Sequence, residues 1–154
     1  MWKPTPPQFV DFKKDIYAKA ASVADIVYQV GEFDKLRERS AEVPRDEITS
    51  PDMQRKFAYI KECLHEYRKR TGYGRGISAV QIGVPERFSV IYTPEKLLLI
   101  VNPKIVRKSD KMLLYPEMCM SAFPVIAPVV RPAWVEVDYF DEAGQKQTWR
   151  QKDD

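Results

Sequence analysis

Met53, Phe57, Ile60, Leu64 and Tyr67 follow one another at steps of four, three, four and three, so they fall on one stripe of a helix. Ser50 suits the N-cap of that helix and Pro51 its first position. Arg68, Lys69 and Arg70 crowd the far end, where cations face the free carbonyls, and Gly72 can close it. A second helical pattern starts at Asp11, with Phe12, Ile16, Ala20, Val23 and Ile26 on one face. Residues 1–10 are proline-rich and read as an arm. The apolar run 27–30 fits helix or strand and stops at Gly31. The charged stretch 32–49, with Pro44 inside it, reads as loop.

Past Gly72 the pattern changes. Residues 72–83 hold four glycines, which predicts tight turning or close approach by another chain. Alternating apolar positions predict strands over 88–92 and 97–101, with Thr93-Pro94-Glu95-Lys96 as the turn and Asn102-Pro103 as a break. Short strands are expected over 105–107, 112–115 and 122–126. The run 134–140 alternates well, Asp141-Glu142-Ala143-Gly144 turns, and 145–149 returns. Helices followed by an antiparallel meander predict an α+β domain.

The 154 residues, 44% hydrophobic and 31% charged, suit one globular domain. The net charge of +3 comes from 25 basic residues interleaved with 22 acids, a weak argument against nucleic acid as the partner. Cys63 and Cys119 form no C-x-x-C pair, which points to a reducing compartment. No secretory leader is visible at Met1-Trp2-Lys3-Pro4, and the apolar run 122–130 is too short and proline-broken to span a membrane.

Taken singly, the candidate residues have bland readings. A free cysteine is most often a buried small hydrophobe, and Cys63, beside the helix stripe, needs no other account. Gln81 alone is a surface amide, or a buried one seeking an acceptor. His65, the one histidine, opens His65-Glu66 as in H-E-x-x-H, but Lys69 stands where the second histidine should be, so the pair is read as a decoy.

The combination says more. Gly74-x-Gly76-x-x-Ala79-x-Gln81, followed by Ile82-Gly83-Val84-Pro85, resembles the first signature of the peptide deformylase family. Glu117-Met118-Cys119-Met120-Ser121 is similar to its second, usually E-G-C-L-S. Residues 30–37, Asn102-Pro103 and Val129-Val130-Arg131 also fall where the family has like residues, so the resemblance runs from about 27 to 149. It implies a metal-dependent amide hydrolase that removes the formyl group from N-terminal formyl-methionine of nascent polypeptides. It implies one divalent metal, ferrous iron with zinc or nickel able to substitute, held by Cys119 and two histidines of an H-E-x-x-H helix. Three protein ligands leave a position open for water, whose pKa such a metal brings down to about 7. Gln81 and the Met120 backbone N–H would stabilise the oxyanion, Gly74 and Gly76 would admit substrate backbone, and Glu117 would pair with Arg131 to brace the cysteine loop.

Three departures stand against this pattern. No H-E-x-x-H follows Trp149, so the chain is read as a deformylase-like α+β domain, 1–154, whose C-terminal metal-binding helix is missing, with 1–26 an N-terminal extension. Met118 replaces the glycine of E-G-C-L-S, and Ile126 stands where the family often has a substrate-contacting arginine. The chain alone is therefore expected to be inactive. The alternative is a non-catalytic deformylase-like module that binds a peptide or a partner. Expected partners are formyl-methionyl peptides and the ribosome, with no DNA and no membrane. A homodimer is expected through the uncovered apolar face of 134–140. The expected location is cytoplasmic or organellar.

Overall fold

The computed structural model describes residues 7–150; the expected arm therefore lies in part, and the polar end 151–154 wholly, outside the described residues. Its helices are α1 (Pro7–Ala21), the short α2 (Phe33–Arg37) and α3 (Pro51–Thr71). Helix α1 begins four residues before the predicted start and ends at Ala21, five short of Ile26. The apolar run 27–30 forms neither helix nor strand but leads into a 3-10 turn at Val30–Glu32. The stretch read as loop contains α2, a 3-10 turn at Arg45–Glu47 and an isolated parallel bridge from Ala41 to Glu86.

Helix α3 follows its sequence. The Ser50 side chain accepts from the Met53 N–H at 3.2 Å, and Gly72 ends the helix at φ +79° while its N–H returns to the Arg68 carbonyl. The predicted stripe is buried along its whole length, joined by Cys63 and Thr71.

The strands make two sheets rather than one meander. A five-stranded antiparallel sheet runs in the order β1 (Gly76–Ser78), β2 (Phe88–Tyr92), β3 (Leu97–Lys108), β6 (Val135–Phe140), β7 (Lys146–Arg150). A separate hairpin pairs β4 (Met112–Met118) with β5 (Ile126–Pro132). Strand β3 does not break at Asn102-Pro103. It runs through, with Asn102 at φ +51° inside one register shift against β6, between Val101 and Lys104, and a second shift following between Ile105 and Arg107. Asn tolerates that left-handed conformation, and its side chain does what a ladder would: Oδ1 accepts the Val43 N–H at 3.0 Å and Nδ2 donates to the Val43 carbonyl at 2.8 Å. The strand expected over 122–126 is instead a 3-10 turn at Met120–Ala122 and a cis Phe123-Pro124 bond, and β5 starts only at Ile126.

The core lies between α3 and one face of the large sheet. Phe57 meets Phe88 edge-on, with ring centroids 5.1 Å apart, above Val90, Leu99 and Val101. Val23 and Val27, just after α1, are buried in this same core. On the other face Leu98, Ile100 and Tyr139 cluster with Ile91 and Trp149. The apolar face of 134–140 was expected to lie bare; Val137 and Tyr139 are buried, because large side chains on neighbouring strands close over one another. The bare apolar surface is on the hairpin. Met112, Leu114, Pro116 and Met118 stand opposite Pro132, Val130, Pro128 and Ile126, all on one face, and Leu114, Ile126 and Val130 are each more than half exposed.

Candidate active site

Strand β1 and the 3-10 turn after it form one wall. Gly74, at φ +106°, turns the chain from α3 into β1, and a Cβ there would sit 3.2 Å from the Tyr67 ring. Arg68 holds the turn by donating Nη1 to the Gly74 carbonyl at 2.6 Å while its guanidinium lies 4.2 Å from the Tyr92 ring centroid. Strand β1 is an edge of its sheet, paired with β2 alone. The turn Ala79–Ile82 then presents Gln81.

Both ends of the Gln81 amide are tied. Oε1 accepts the Ser78 N–H at 2.9 Å, which fixes the orientation of the amide, since only the oxygen can take that proton. Nε2 is thereby aimed at the second signature: it donates to Ser121 Oγ at 3.0 Å and lies 4.0 Å from Cys119 Sγ. The Gln81 carbonyl accepts the Tyr28 N–H at 2.8 Å, so the turn is also pinned from residues before α2.

The opposite wall is the hairpin and the loop that closes it. Glu117, at the end of β4, receives two parallel bonds from Arg131 on β5: Nε at 2.9 Å and Nη2 at 2.8 Å. That fork holds the Glu117 carboxyl below the usual carboxylate range and the Arg131 guanidinium above its own. Cys119 follows as the extended residue before the 3-10 turn and is exposed. Met120 is buried, and its N–H, first in that turn, has no acceptor within the turn. Tyr67 of α3 donates to the Met120 carbonyl at 3.4 Å and meets the Phe123 ring edge-on. Burial first, and the charge of Cys119 second, push Tyr67 up to about 12.

Between the walls lies an open groove of about 660 Å³. All seven residues singled out from the sequence line it: Gly74, Gly76, Gln81, Glu117, Cys119, Met120 and Arg131. Cys63 is buried on α3, where burial raises its thiol, and His65 is exposed on α3 and does not line the groove. Two contributors were not picked out. Ser121 takes the Gln81 amide, and its hydroxyl one position past the buried Met120 was the available signal. Tyr67 was read only as core; a buried phenol needs a partner, and that requirement pointed to a second role.

The described residues do not complete a metal centre. Among them no three His, Cys, Asp or Glu side chains cluster as metal ligands: Cys119 offers one donor, and both Glu117 oxygens are engaged by Arg131. What they do build is a groove with the Gln81 amide N–H beside the Cys119 thiol, an arrangement suited to a carbonyl that gains negative charge.

The family model described as Polypeptide deformylase matches residues 24–154. A peptide deformylase of Rhizobium meliloti is 39% identical over 79 residues, covering 48% of this chain and 45% of that protein. One of Rickettsia prowazekii is 32% identical over 127 residues, covering 69% and 73%. The match with the Rhizobium protein thus spans about half its length. Among solved structures, the peptide deformylase of Ehrlichia chaffeensis superposes with a TM-score of 0.72 at 25% identity, covering 82% of this chain and 73% of that one. The class I type b enzyme of Acinetobacter baumannii gives 0.70 at 26% identity, covering 81% of each chain. Signatures that meet across one groove, a matching fold and a family match over five-sixths of the sequence agree, and the chain belongs to the peptide deformylase family.

Proposed function

We propose that this chain carries the peptide-binding and oxyanion-stabilising part of a deformylase, a hydrolase acting on the formyl group of N-terminal formyl-methionine during protein biosynthesis. The observation that carries this is the Gln81 amide, oriented by Ser78 and set 4.0 Å from Cys119 Sγ at the floor of the groove. The free edge of β1 offers Gly76 backbone groups to an extended substrate, which would add as a strand. Gln81 Nε2 and the Met120 N–H then meet the formyl oxygen as it gains charge. Tyr67 fixes Met120 from below, and the Glu117–Arg131 fork fixes the approach to Cys119. A metal held by Cys119, iron with zinc or nickel as substitutes, needs further donors from outside the described residues. We read residues 1–154 as one domain with 1–26 an extension that enters the core from Val23. The ribosome as a partner and a cytoplasmic or organellar location belong to the same proposal, as does self-association, whose surface would be the hairpin.

Alkylation of Cys119 tests the reading. Formyl-Met-Ala-Ser is expected to slow carbamidomethylation of Cys119 by iodoacetamide in a dose-dependent way; an unchanged rate at saturating peptide would overturn it. Formate release after addition of Fe2+, Ni2+ or Zn2+ then separates chemistry from binding. Protection without release by any metal would make these residues the binding module of the alternative reading.

A further inference from the structure

We propose that Arg75 makes the groove selective for peptides with an acidic side chain shortly after their N-terminal residue. This rests on the peptide-binding reading above and adds a substrate class to it. Arg75 sits between Gly74 and Gly76, is exposed and lines the groove. Among the described residues it has no ion-pair partner. The other cation lining the groove, Arg131, is neutralised by Glu117. Arg68, which holds the Gly74 carbonyl, likewise has no carboxylate beside it; its guanidinium is taken up by that carbonyl and the Tyr92 ring.

The wall built by the end of α3 and by β1 thus carries two positive charges with no carboxylate paired to them among the described residues, and of the two it is Arg75 that lines the groove. A substrate that runs along β1 rises by about 3.4 Å per residue, so a side chain within its first few positions passes the guanidinium. A carboxylate there gains a partner with five donors in a fixed fork, whereas the neutral amide of equal shape gains far less. Val125, Ala127 and Val129 offer such a carboxylate no donor, and the donors of Arg131 are engaged by Glu117.

The test uses the 154-residue chain and fluorescein-labelled formyl-methionyl peptides with Glu or Gln at the second, third or fourth position, read by anisotropy. One Glu position is expected to bind about two- to five-fold tighter than its Gln counterpart at low ionic strength, as exposed ion pairs do. The ratio should fall toward one in 0.5 M NaCl, taken here as roughly a 4 Å screening length. It should also vanish in Arg75→Gln and persist in Arg75→Lys. Equal binding of Glu and Gln peptides at every position, or a ratio untouched by Arg75→Gln, would overturn this inference and leave the peptide-binding reading standing. No binding of any peptide would overturn both.

Discussion

Gln81 reaches the groove because a backbone N–H holds its oxygen and leaves only its nitrogen to face Cys119. Removing that amide in Gln81→Ala is expected to lower formate release by about 10²–10³-fold wherever release is measurable, the usual loss for one oxyanion donor. Thermal unfolding should change little, because Gln81 is only half-buried. Gly83 makes a different residue-scale case. It closes the 3-10 turn at φ +78°, and a Cβ there would stand 2.7 Å from the Tyr28 hydroxyl. The tyrosine tip can swing away, so the cost of Gly83→Ala is mainly backbone strain, about 1–2 kcal/mol in urea denaturation. The residues that line the groove were picked out in sequence through two signatures that resemble those of the peptide deformylase family, each residue having a bland reading by itself. The contacts of Ser121 with Gln81 and of Tyr67 with Met120 were not, since nothing local to either residue announces which distant group it will touch.

Helix α3 was legible to its caps because its signals are local: a hydroxyl before proline, a period near 3.6, a terminal glycine. Ser50→Ala should cost about 1 kcal/mol of stability, read from the urea midpoint. Strand β3 shows the limit. Asn102-Pro103 reads as a stop by propensity, yet Asn102 clamps Val43, a partner 59 residues away that no local pattern reveals. The pairing of β6 with β7 carries its own pH signature. Thr148 Oγ1 donates to Asp138 at 2.7 Å, and Lys146 stands 3.1 Å away, so hydrogen bonding first and the ammonium second hold the Asp138 carboxyl below its ordinary range. A depressed carboxyl contributes stability above its unfolded value, about 3.9, and loses it as pH falls through the lower folded one. Asp138→Asn should therefore flatten the acid limb of the stability curve below about pH 4, measured by urea unfolding across pH.

At the scale of the molecule, the division into two sheets was the part sequence could not give. Alternation predicts strands but not which ones share a ladder, and β5, with Pro128 and Pro132 in its seven residues, carries no alternation that would have announced it. Their outer face, two seven-residue strands about 24 Å long and about 10 Å across, would cover only about 240 Å² if flat, against roughly 800 Å² per partner in a standard interface. Self-association through it is thus expected to be weak and concentration-dependent, and sedimentation velocity of Leu114→Lys should show it reduced. A clean monomer at every concentration in the unaltered chain would count against that surface.

Tyr28, whose N–H grips the Gln81 carbonyl, lies one residue beyond Val27, which is sunk in the core. The leg that descends from α1 is thereby a strut under the reactive amide. A change that loosens that leg is therefore expected to loosen the turn that presents Gln81, with no residue of the groove altered.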